Sequence, residues 1–375
     1  MLAPLFLVPD PRHPTVPWDA LLARFPWLAE LHACPQDPAH HPEGDVGTHT
    51  RLALEALVAM PDWRTASDDA RTQVYVATLL HDIGKIETTR DDNGRWTAPG
   101  HARAGALRAR RLLWGLGVTP PEREAIAGLV RWHMRPAFLL DAADPRRELF
   151  RVGMSARWDH LLLVAAADAA GRGQAPPESQ TTLLALLAEF ARDERCAEGP
   201  RAFANAASRV AYFARPDRNP DYAVHDTSWG EVLLLAGLPG SGKTTWLARH
   251  RPDLPQVCRD DIRRILKLKS GEDEARVTTV ALEQAKHFLR RHEPFAWNAT
   301  HLVRDLRAPV VALTHRYGAT VRAVRFEISP ATLQTRNATR PETNRIPADA
   351  MERILSRWDV PDPTEVESFD VCDAG

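Results

Sequence analysis

The fold of the C-terminal half is decided by the stretch Gly237-Leu238-Pro239-Gly240-Ser241-Gly242-Lys243-Thr244, which has the pattern G-x-x-x-x-G-K-T. The apolar run at residues 232–236 directly before it is typical of a buried strand. A strand, this loop and a following helix together form a P-loop, in which backbone N–H groups close around phosphates. Lys243 would then reach the β- and γ-phosphates, and the hydroxyl of Thr244 would bind Mg²⁺.

The motif predicts binding of ATP or GTP with Mg²⁺, and the alternative is a glycine-rich turn that only ends a strand. ATP is the nucleotide that we expect. The predicted phosphate-binding residues are Gly237, Gly240, Ser241, Gly242, Lys243, Thr244 and Thr245.

A P-loop alone does not identify the acceptor of the phosphoryl group. The end of the next predicted strand is where a catalytic base is expected. Residues 256–263 end a short apolar run and open a basic helix. Asp260 there can accept a hydroxyl proton, and Arg263, one helical turn later, can bind an acceptor phosphate. The alternative is that Asp260 and Asp261 are an N-cap pair, a role that suits Asp261 best.

Length and composition limit the class of protein. The chain has 375 residues, more than one core usually holds, and this predicts two domains. Its net charge of -1 means that any nucleic-acid contact requires a local basic surface. The 4 cysteines form no metal or redox motif, which favours a reducing cytoplasm. Residues 1–9 resemble no signal peptide, and no apolar run approaches the ~20 residues of a membrane span.

Apolar spacing separates an all-helical half from an α/β half. Helices are predicted in the first half at residues 48–60, 70–80, 102–115, 121–133, 158–169 and 181–191, and no strand is predicted there. From residue 231 onward, short apolar runs at 232–236, 294–297 and 320–328 alternate with helices, which predicts a parallel sheet. We predict a helical domain at 1–215, a linker at 216–229, an α/β domain at 230–375 and a frayed acidic tail from Asp362.

Six His and Asp positions in the helical half lie at predicted helix ends. They are His49, His81, Asp82, His101, His133 and Asp168. Imidazoles and carboxylates at several helix ends can converge in a bundle and bind a transition metal. For any one of these histidines taken alone, a surface residue or a satisfied buried residue is the preferred explanation. Asp168 differs because it interrupts an apolar helix face, where a bare carboxylate is costly. Other histidines, such as His41, lie in proline-rich loops and are assigned no role.

The ordered set His49, His81-Asp82 and Asp168 resembles the HD-domain metal phosphohydrolases, and His81-Asp82-Ile83-Gly84-Lys85 is similar to the core of that family. The resemblance implies one ion at His49, His81, Asp82 and Asp168, and a second at Asp82, His101 and His133. Mn²⁺, Ni²⁺ or Zn²⁺ would suit these ligands. Two cations lower the pKa of a shared water and neutralise the phosphoryl oxygens it attacks. Lys85 is a catalytic candidate for contact with the scissile phosphate.

The element Arg259-Asp260-Asp261-Ile262-Arg263 resembles the phage and bacterial 5′-hydroxyl polynucleotide kinases. The resemblance implies that Asp260 is the general base and that Arg263 grips the 3′ phosphate of the acceptor. Arg336 and Arg340 match the arginines of the family's lid, which clamp the ATP phosphates. Their alternative is a solvated helix face.

The order of the two modules along the chain, with the HD-like module first and the kinase-like module second, resembles bacterial two-domain nucleic-acid end-healing enzymes. It implies phosphorylation of 5′-OH ends and removal of 2′,3′-cyclic, 2′- or 3′-phosphate ends of RNA or DNA, with a nucleic-acid ligase as a further partner and no membrane. Two alternatives stay open. One is a nucleoside or metabolite kinase fused to a nucleotide phosphohydrolase, and the other is a nucleotide-sensing switch protein.

Overall fold

The six helices predicted in the first half are present in the computed structural model, which describes residues 2–268, 271–342 and 345–373. The chain divides into two compact units, Met1–Ala202 and Phe203–Gly375. The helices of the first unit are α1 (Leu2–Leu5), α2 (Trp18–Arg24), α3 (Trp27–His32), α4 (Val46–Ala59), α5 (Pro61–Thr65), α6 (Asp68–Leu80), α7 (Lys85–Thr88), α8 (His101–Gly115), α9 (Pro120–Trp132), α10 (Arg135–Phe138), α11 (Pro145–Gly153), α12 (Trp158–Ala170) and α13 (Glu178–Asp193).

The helices α4, α6, α9 and α12 bury their apolar faces against one another and form the core of this unit. Leu57 on α4, Val76 on α6, Val130 on α9 and Val164 on α12 are fully buried. The start of α4 is fixed by Asp45, whose carboxylate accepts hydrogen bonds from the backbone N and the hydroxyl of Thr48 at 2.8 and 2.7 Å. This cap sets the position of His49, the next residue along the helix and one of the predicted metal ligands.

The prediction that the first unit has no strand is wrong. A short antiparallel hairpin joins β1 (Arg90–Asp92) to β2 (Arg95–Thr97). Its two-residue loop is Asn93-Gly94, and both residues have positive φ, 55° and 83°. Asn-Gly is the favoured sequence for such a turn because both central positions require a left-handed backbone. The local signature was therefore present in the sequence, but the strands are too short and too exposed to show an apolar pattern.

The second unit is an α/β fold, which confirms the predicted fold class. Its strands are β3 (Glu231–Gly237), β4 (Gln256–Cys258), β5 (Ala296–Asn298), β6 (Thr320–Glu327) and β7 (Ser368–Asp373). All neighbouring strands are parallel, in the order β4-β5-β3-β6-β7. Its helices are α14 (Ala206–Ala214), α15 (Lys243–His250), α16 (Arg259–Leu266), α17 (Glu274–Arg290), α18 (Arg304–Arg316), α19 (Pro330–Ala338) and α20 (Ala348–Leu355).

The central position of β3 places the loop that follows it in the middle of one sheet edge. The carboxyl ends of parallel strands meet at that edge, where ligands of such sheets bind. The expected fraying of the acidic tail is wrong for its described part, because residues 368–373 form β7 and pair along β6. The side chains of β7 are largely exposed, so its sequence shows no apolar pattern that would predict a strand.

The division between the units falls earlier than the predicted boundary after residue 215. Helix α14 lies between the two positions and belongs to the second unit. Its Arg209 donates hydrogen bonds to the backbone carbonyls of Pro363, Val366 and Glu367 at 2.7–3.1 Å. Within the predicted linker, Val224 is also tied to α14, because its backbone N–H donates to the Ser208 hydroxyl at 2.9 Å. We propose that the functional kinase domain begins near Phe203 and includes this segment.

A buried ion pair in the second unit provides a stability prediction. Arg307 is fully buried and donates to both oxygens of Glu365 at 2.8 and 3.1 Å. It also donates to the backbone carbonyls of His301 and Asp359 at 2.9 and 2.7 Å. Arg307→Met leaves Glu365 buried without its partner, so the free energy of unfolding should fall by about 3–5 kcal/mol. Denaturant unfolding measures this change.

The matched control is Arg353→Met, because Arg353 is 69% exposed and pairs with Asp349 on the surface. Exposed pairs contribute about 0–1 kcal/mol, so this variant should unfold close to the unmodified protein. Equal losses in both variants would contradict the special role assigned to the buried pair.

Candidate metal centre and phosphate-binding loop

The structure brings the six predicted metal ligands together around the carboxylate of Asp82. His49 lies near the start of α4, His101 begins α8, and Asp168 is in the last turn of α12. His81 and His133 directly follow α6 and α9. From the Nε2 atoms to the nearer Asp82 oxygen, the distances are 3.3 Å for His81, 3.4 Å for His101, 3.7 Å for His133 and 4.0 Å for His49. Asp168 is 3.0 Å from His49 Nε2.

Three of the four imidazoles are oriented as metal ligands by backbone carbonyls. The Nδ1 atoms of His81, His101 and His133 face the backbone carbonyls of Thr78, Ala98 and Val130 at 2.7–2.8 Å. A carbonyl only accepts, so each Nδ1 carries the proton and each Nε2 presents a lone pair. His81 Nε2 is buried and has no hydrogen-bond partner in the described structure. His101 Nε2 and His133 Nε2 are 3.2 Å apart, so two acceptors face each other at a distance that a shared cation would explain.

The electrostatics of the site fit a cation. Burial would raise the pKa of Asp82, but Lys85 and His81 outweigh it and hold that pKa well below its usual range. Burial lowers the pKa of His133 to about 4, and His81 adds to this effect, so His133 is neutral at neutral pH. Burial opposes protonation of His49, but hydrogen bonds to Asp168 and Glu43 raise its pKa to about 9. Two groups of possible ligands share Asp82: one adds His49 and His81, and the other adds His101 and His133.

Lys85, the predicted catalytic lysine, lies in the same site. Its ammonium is 2.7 Å from Asp82 Oδ2 and donates to Gln36 Oε1 at 2.6 Å. The side chain of Lys85 is largely buried, which leaves its charge only weakly screened by water. The arrangement can compensate negative charge beside the metal ligands.

Sequence reasoning missed three residues of this site: Gln36, His41 and Glu43. All three lie on a loop closed by the bridge between Pro35 and Asp45. Glu43 Oε1 is 2.7 Å from His49 Nδ1 and 2.8 Å from His41 Nδ1. Burial opposes ionisation of Glu43, but the hydrogen bonds from the two histidines lower its pKa to about 2. Only tertiary structure brings this loop to the site.

The P-loop has the predicted geometry between β3 and α15. Gly240 and Gly242 have φ values of 88° and 90°, which only glycine adopts readily. A Cβ on Gly237 would lie 2.8 Å from Phe326 Cβ and from Ser241 Oγ, so no other residue fits there without a shift. Ser241 is fully buried, and its hydroxyl has no hydrogen-bond partner among the described residues. Lys243 donates to the carbonyls of Gly237 and Leu238 at 2.9 Å.

Residues at or after the ends of two other strands, β5 and β6, also contact this loop. Arg336 on α19 donates to the Gly240 carbonyl at 3.3 Å, and Arg340 Nη2 lies 3.6 Å from where a Gly240 Cβ would be. Asn298 at the end of β5 donates to the Thr244 hydroxyl at 3.0 Å. The predicted lid arginines are therefore beside the loop, and Asn298 is an additional contact of the predicted Mg²⁺-binding hydroxyl.

The predicted base and its arginine form an ion pair at the start of α16. Arg263 Nη1 is 2.7 Å from Asp260 Oδ1, and the Asp260 side chain is 91% exposed, so an incoming acceptor can reach it. Arg263 also donates to both oxygens of Glu274 at 2.9–3.0 Å. Glu274 was missed by sequence reasoning because it lies on α17, and it holds the guanidinium in place.

Comparisons with known families agree with this division of the chain. Residues 46–172 match the family model described as HD domain, and residues 232–361 match the model described as AAA domain. The chain combines an HD domain with a P-loop kinase-like domain. The first implies a divalent metal, and the second implies ATP and Mg²⁺.

Curated relatives include proteins named multifunctional CCA protein from Halorhodospira halophila, Alkalilimnicola ehrlichii and Pasteurella multocida. They are 36%, 35% and 31% identical to the chain over 162, 161 and 159 residues. Each match covers 41% of this chain and 36% of the relative, so the chain spans about a third of their length.

A solved structure from Chloroflexus aurantiacus covers 39% of this chain and 86% of its own, with 20% identity and a TM-score of 0.33. A similarity at this level carries no argument about activity. No helix in the described part of the chain combines the length and apolar composition that a bilayer crossing requires.

The shared position of Asp82 predicts how single substitutions change the metal content. Asp82→Ala removes the carboxylate common to both ligand groups, so the purified HD domain should lose all bound transition metal. His133→Ala and His101→Ala affect only one group and should keep about half of the bound metal. Elemental analysis of the purified variants measures this, and full metal content in His101→Ala and His133→Ala would mean that a single ion is bound.

Lys243 predicts a pH dependence of nucleotide binding. Burial lowers its pKa to about 8, with Asp260 acting in the opposite direction and Arg340 in the same one. Nucleotide phosphates favour the charged ammonium and should raise this pKa. ATP·Mg²⁺ affinity should therefore fall as the pH rises above about 8, by up to about tenfold per pH unit.

Titration calorimetry in two buffers of different protonation enthalpy measures the proton taken up on binding. The control is Lys243→Arg, because a guanidinium remains charged at every pH in this range. Proton uptake that persists unchanged in Lys243→Arg would show that another group titrates.

Proposed function

We propose that the chain is a bifunctional nucleic-acid end-healing enzyme. Its kinase-like domain would transfer the γ-phosphate of ATP to a 5′-OH end, and its HD domain would remove a 2′,3′-cyclic, 2′- or 3′-phosphate end. The observation that carries this proposal is the ion pair between the exposed carboxylate of Asp260 and the guanidinium of Arg263, at the start of α16 directly after β4. An acceptor with both a reacting hydroxyl and a neighbouring phosphate needs a base and a phosphate-binding cation this close together.

The kinase step follows from the residues around the P-loop. Asp260 accepts the proton of the attacking 5′-OH, and Arg263 binds the adjacent phosphate of the acceptor strand. Lys243, Arg336 and Arg340 stabilise the charge that spreads over the transferring phosphoryl group.

The phosphoesterase step follows from the residues around Asp82. Bound divalent ions supply a water of lowered pKa and neutralise phosphoryl oxygens. His49, His81 and Asp168 would hold one ion, His101 and His133 the other, and Asp82 would contribute to both. Lys85, 2.7 Å from Asp82, adds positive charge next to the attacked phosphoryl group.

A basic aromatic surface next to His133 supports a polynucleotide substrate. The guanidinium carbons of Arg131 and Arg135 lie 5.5 and 5.7 Å from the centre of the Trp132 ring. The Trp132 Nε1–H donates to the Ser155 hydroxyl at 2.8 Å, which fixes the ring. Single strands bind to such combinations of positive charge and aromatic rings.

Two alternatives make different predictions about substrate size and turnover. A nucleoside or metabolite kinase fused to a nucleotide phosphohydrolase would need neither Arg263 nor the Trp132 surface. A nucleotide-sensing switch would need no turnover, although both sites have a full set of catalytic candidates. Cytoplasmic location and cooperation with a nucleic-acid ligase remain part of the proposal.

One RNA with a 5′-OH end and a 2′,3′-cyclic phosphate end tests both activities together. Incubated with ATP, Mg²⁺ and Mn²⁺, it should gain a 5′ phosphate and lose its cyclic phosphate. Lys243→Ala should reduce 5′ phosphorylation by about 10² or more and leave the 3′ reaction intact, and Asp82→Ala should do the reverse. Each end is analysed separately by mass spectrometry. A variant that stays folded but loses both activities would contradict two independent sites.

The small-molecule alternative is tested with Trp132→Ala. Loss of a stacking side chain should weaken binding of an oligonucleotide by about 1–3 kcal/mol, with little effect on hydrolysis of a 2′,3′-cyclic mononucleotide. Trp96→Ala, which removes an exposed indole from the β1–β2 hairpin, is the control. Equal effects of Trp132→Ala on both substrates would favour the small-molecule alternative.

A further inference from the structure

Glu43 is not one of the predicted metal ligands, yet it contacts one of them directly. Its side chain is 2% exposed, and Oε1 is hydrogen-bonded to both His49 Nδ1 and His41 Nδ1. Its other oxygen, Oε2, is buried and has no hydrogen-bond partner among the described residues. Burying a carboxylate costs free energy unless hydrogen bonds or an opposite charge compensate it.

The four imidazoles of the site differ in what holds their Nδ1 atoms. His81, His101 and His133 are held by neutral backbone carbonyls. His49 is held by the Glu43 carboxylate instead. A negative partner increases the basicity of the imidazole and fixes its tautomer, so the Nε2 atom of His49 becomes a stronger ligand than one supported by a carbonyl.

This difference separates the two groups of ligands. The group of His49, His81 and Asp82 contains the imidazole that a carboxylate supports, with Asp168 3.0 Å from His49 Nε2. The group of Asp82, His101 and His133 contains only imidazoles that carbonyls support. Glu43 and Asp168 contact different ring nitrogens of His49, Nδ1 and Nε2, and therefore lie on opposite sides of this imidazole.

We propose that Glu43 is a positioning residue that makes the two metal positions inequivalent. The ion next to His49 and His81 is bound more tightly than the ion next to His101 and His133, and Glu43 contributes to this difference. The inference rests on the metal-dependent half of the proposed function and is independent of the substrate.

Calorimetric titration of the full chain with Mn²⁺ tests this, after removal of metal and in the absence of nucleotide. The unmodified protein should bind Mn²⁺ in two steps of unequal affinity. Glu43→Gln keeps the size of the side chain and loses its charge, and it should weaken the tighter step about 10–100-fold while the weaker step stays unchanged. His133→Ala should remove the weaker step and so assign it.

The matched control is Glu55→Gln. Glu55 lies on the same helix as His49 but is 45% exposed and pairs with Arg51 at 2.7 Å. Both Mn²⁺ steps should be unchanged in this variant. Glu43→Asp retains the charge on a shorter side chain and should recover part of the tighter step, which a purely structural role would not predict. Far-UV circular dichroism of each variant confirms that the helical unit that carries Glu43 is folded.

The proposal is overturned by two equal steps or a single step in the unmodified protein. It is also overturned if Glu43→Gln leaves the tighter step unchanged, or weakens or abolishes both steps alike. Failure of the proposed function is a separate result, seen as two unequal Mn²⁺ steps in a protein that heals no nucleic-acid ends.

Discussion

Both sites depend on one physical constraint: the N–H and C=O groups at the ends of a helix have no partner within the helix and must bind something else. The last carbonyls of a helix have no intrahelical donor, and those of Thr78 and Val130 instead face Nδ1 of His81 and His133. These contacts set the tautomer of each imidazole and turn its Nε2 toward Asp82. At the other site, the start of α15 offers unpaired N–H groups to phosphate. One domain thus uses helix C-termini to orient metal ligands, and the other uses a helix N-terminus to bind an anion.

The two sites differ in the charge that they attract, because carboxylates surround one and basic side chains surround the other. Around Asp82, ionised carboxylates are held among imidazoles and one ammonium, an environment that attracts cations. Around the P-loop, Lys243, Arg336 and Arg340 converge on a loop without acidic residues, an environment that attracts polyphosphate. In the proposed function, two such sites act on the two chemically different ends of one nucleic-acid break without sharing residues.

Much of this could be predicted from the sequence because the motifs are local. The P-loop, the His81-Asp82 pair and the helix spacing lie within short segments, and the parallel sheet follows from the alternation of strands and helices. Glu43 and Glu274 could not be predicted, because each acts across a tertiary contact that no spacing encodes. The hairpin β1–β2 and strand β7 were missed since exposed strands show no apolar pattern. The boundary at Phe203 depends on Arg209, whose partners lie more than 150 residues away.

That long separation has a consequence for how the chain folds during its synthesis. The first unit contains its own core and can close as soon as its last helix is made. The second cannot, because α14 finds its hydrogen-bond acceptors only when residues 363–367 are present. Contacts between distant segments slow folding, and unpaired strand edges expose a chain to misassembly while it waits. The Arg209 side chain on this helix must therefore remain without its acceptors until residues 363–367 have been translated.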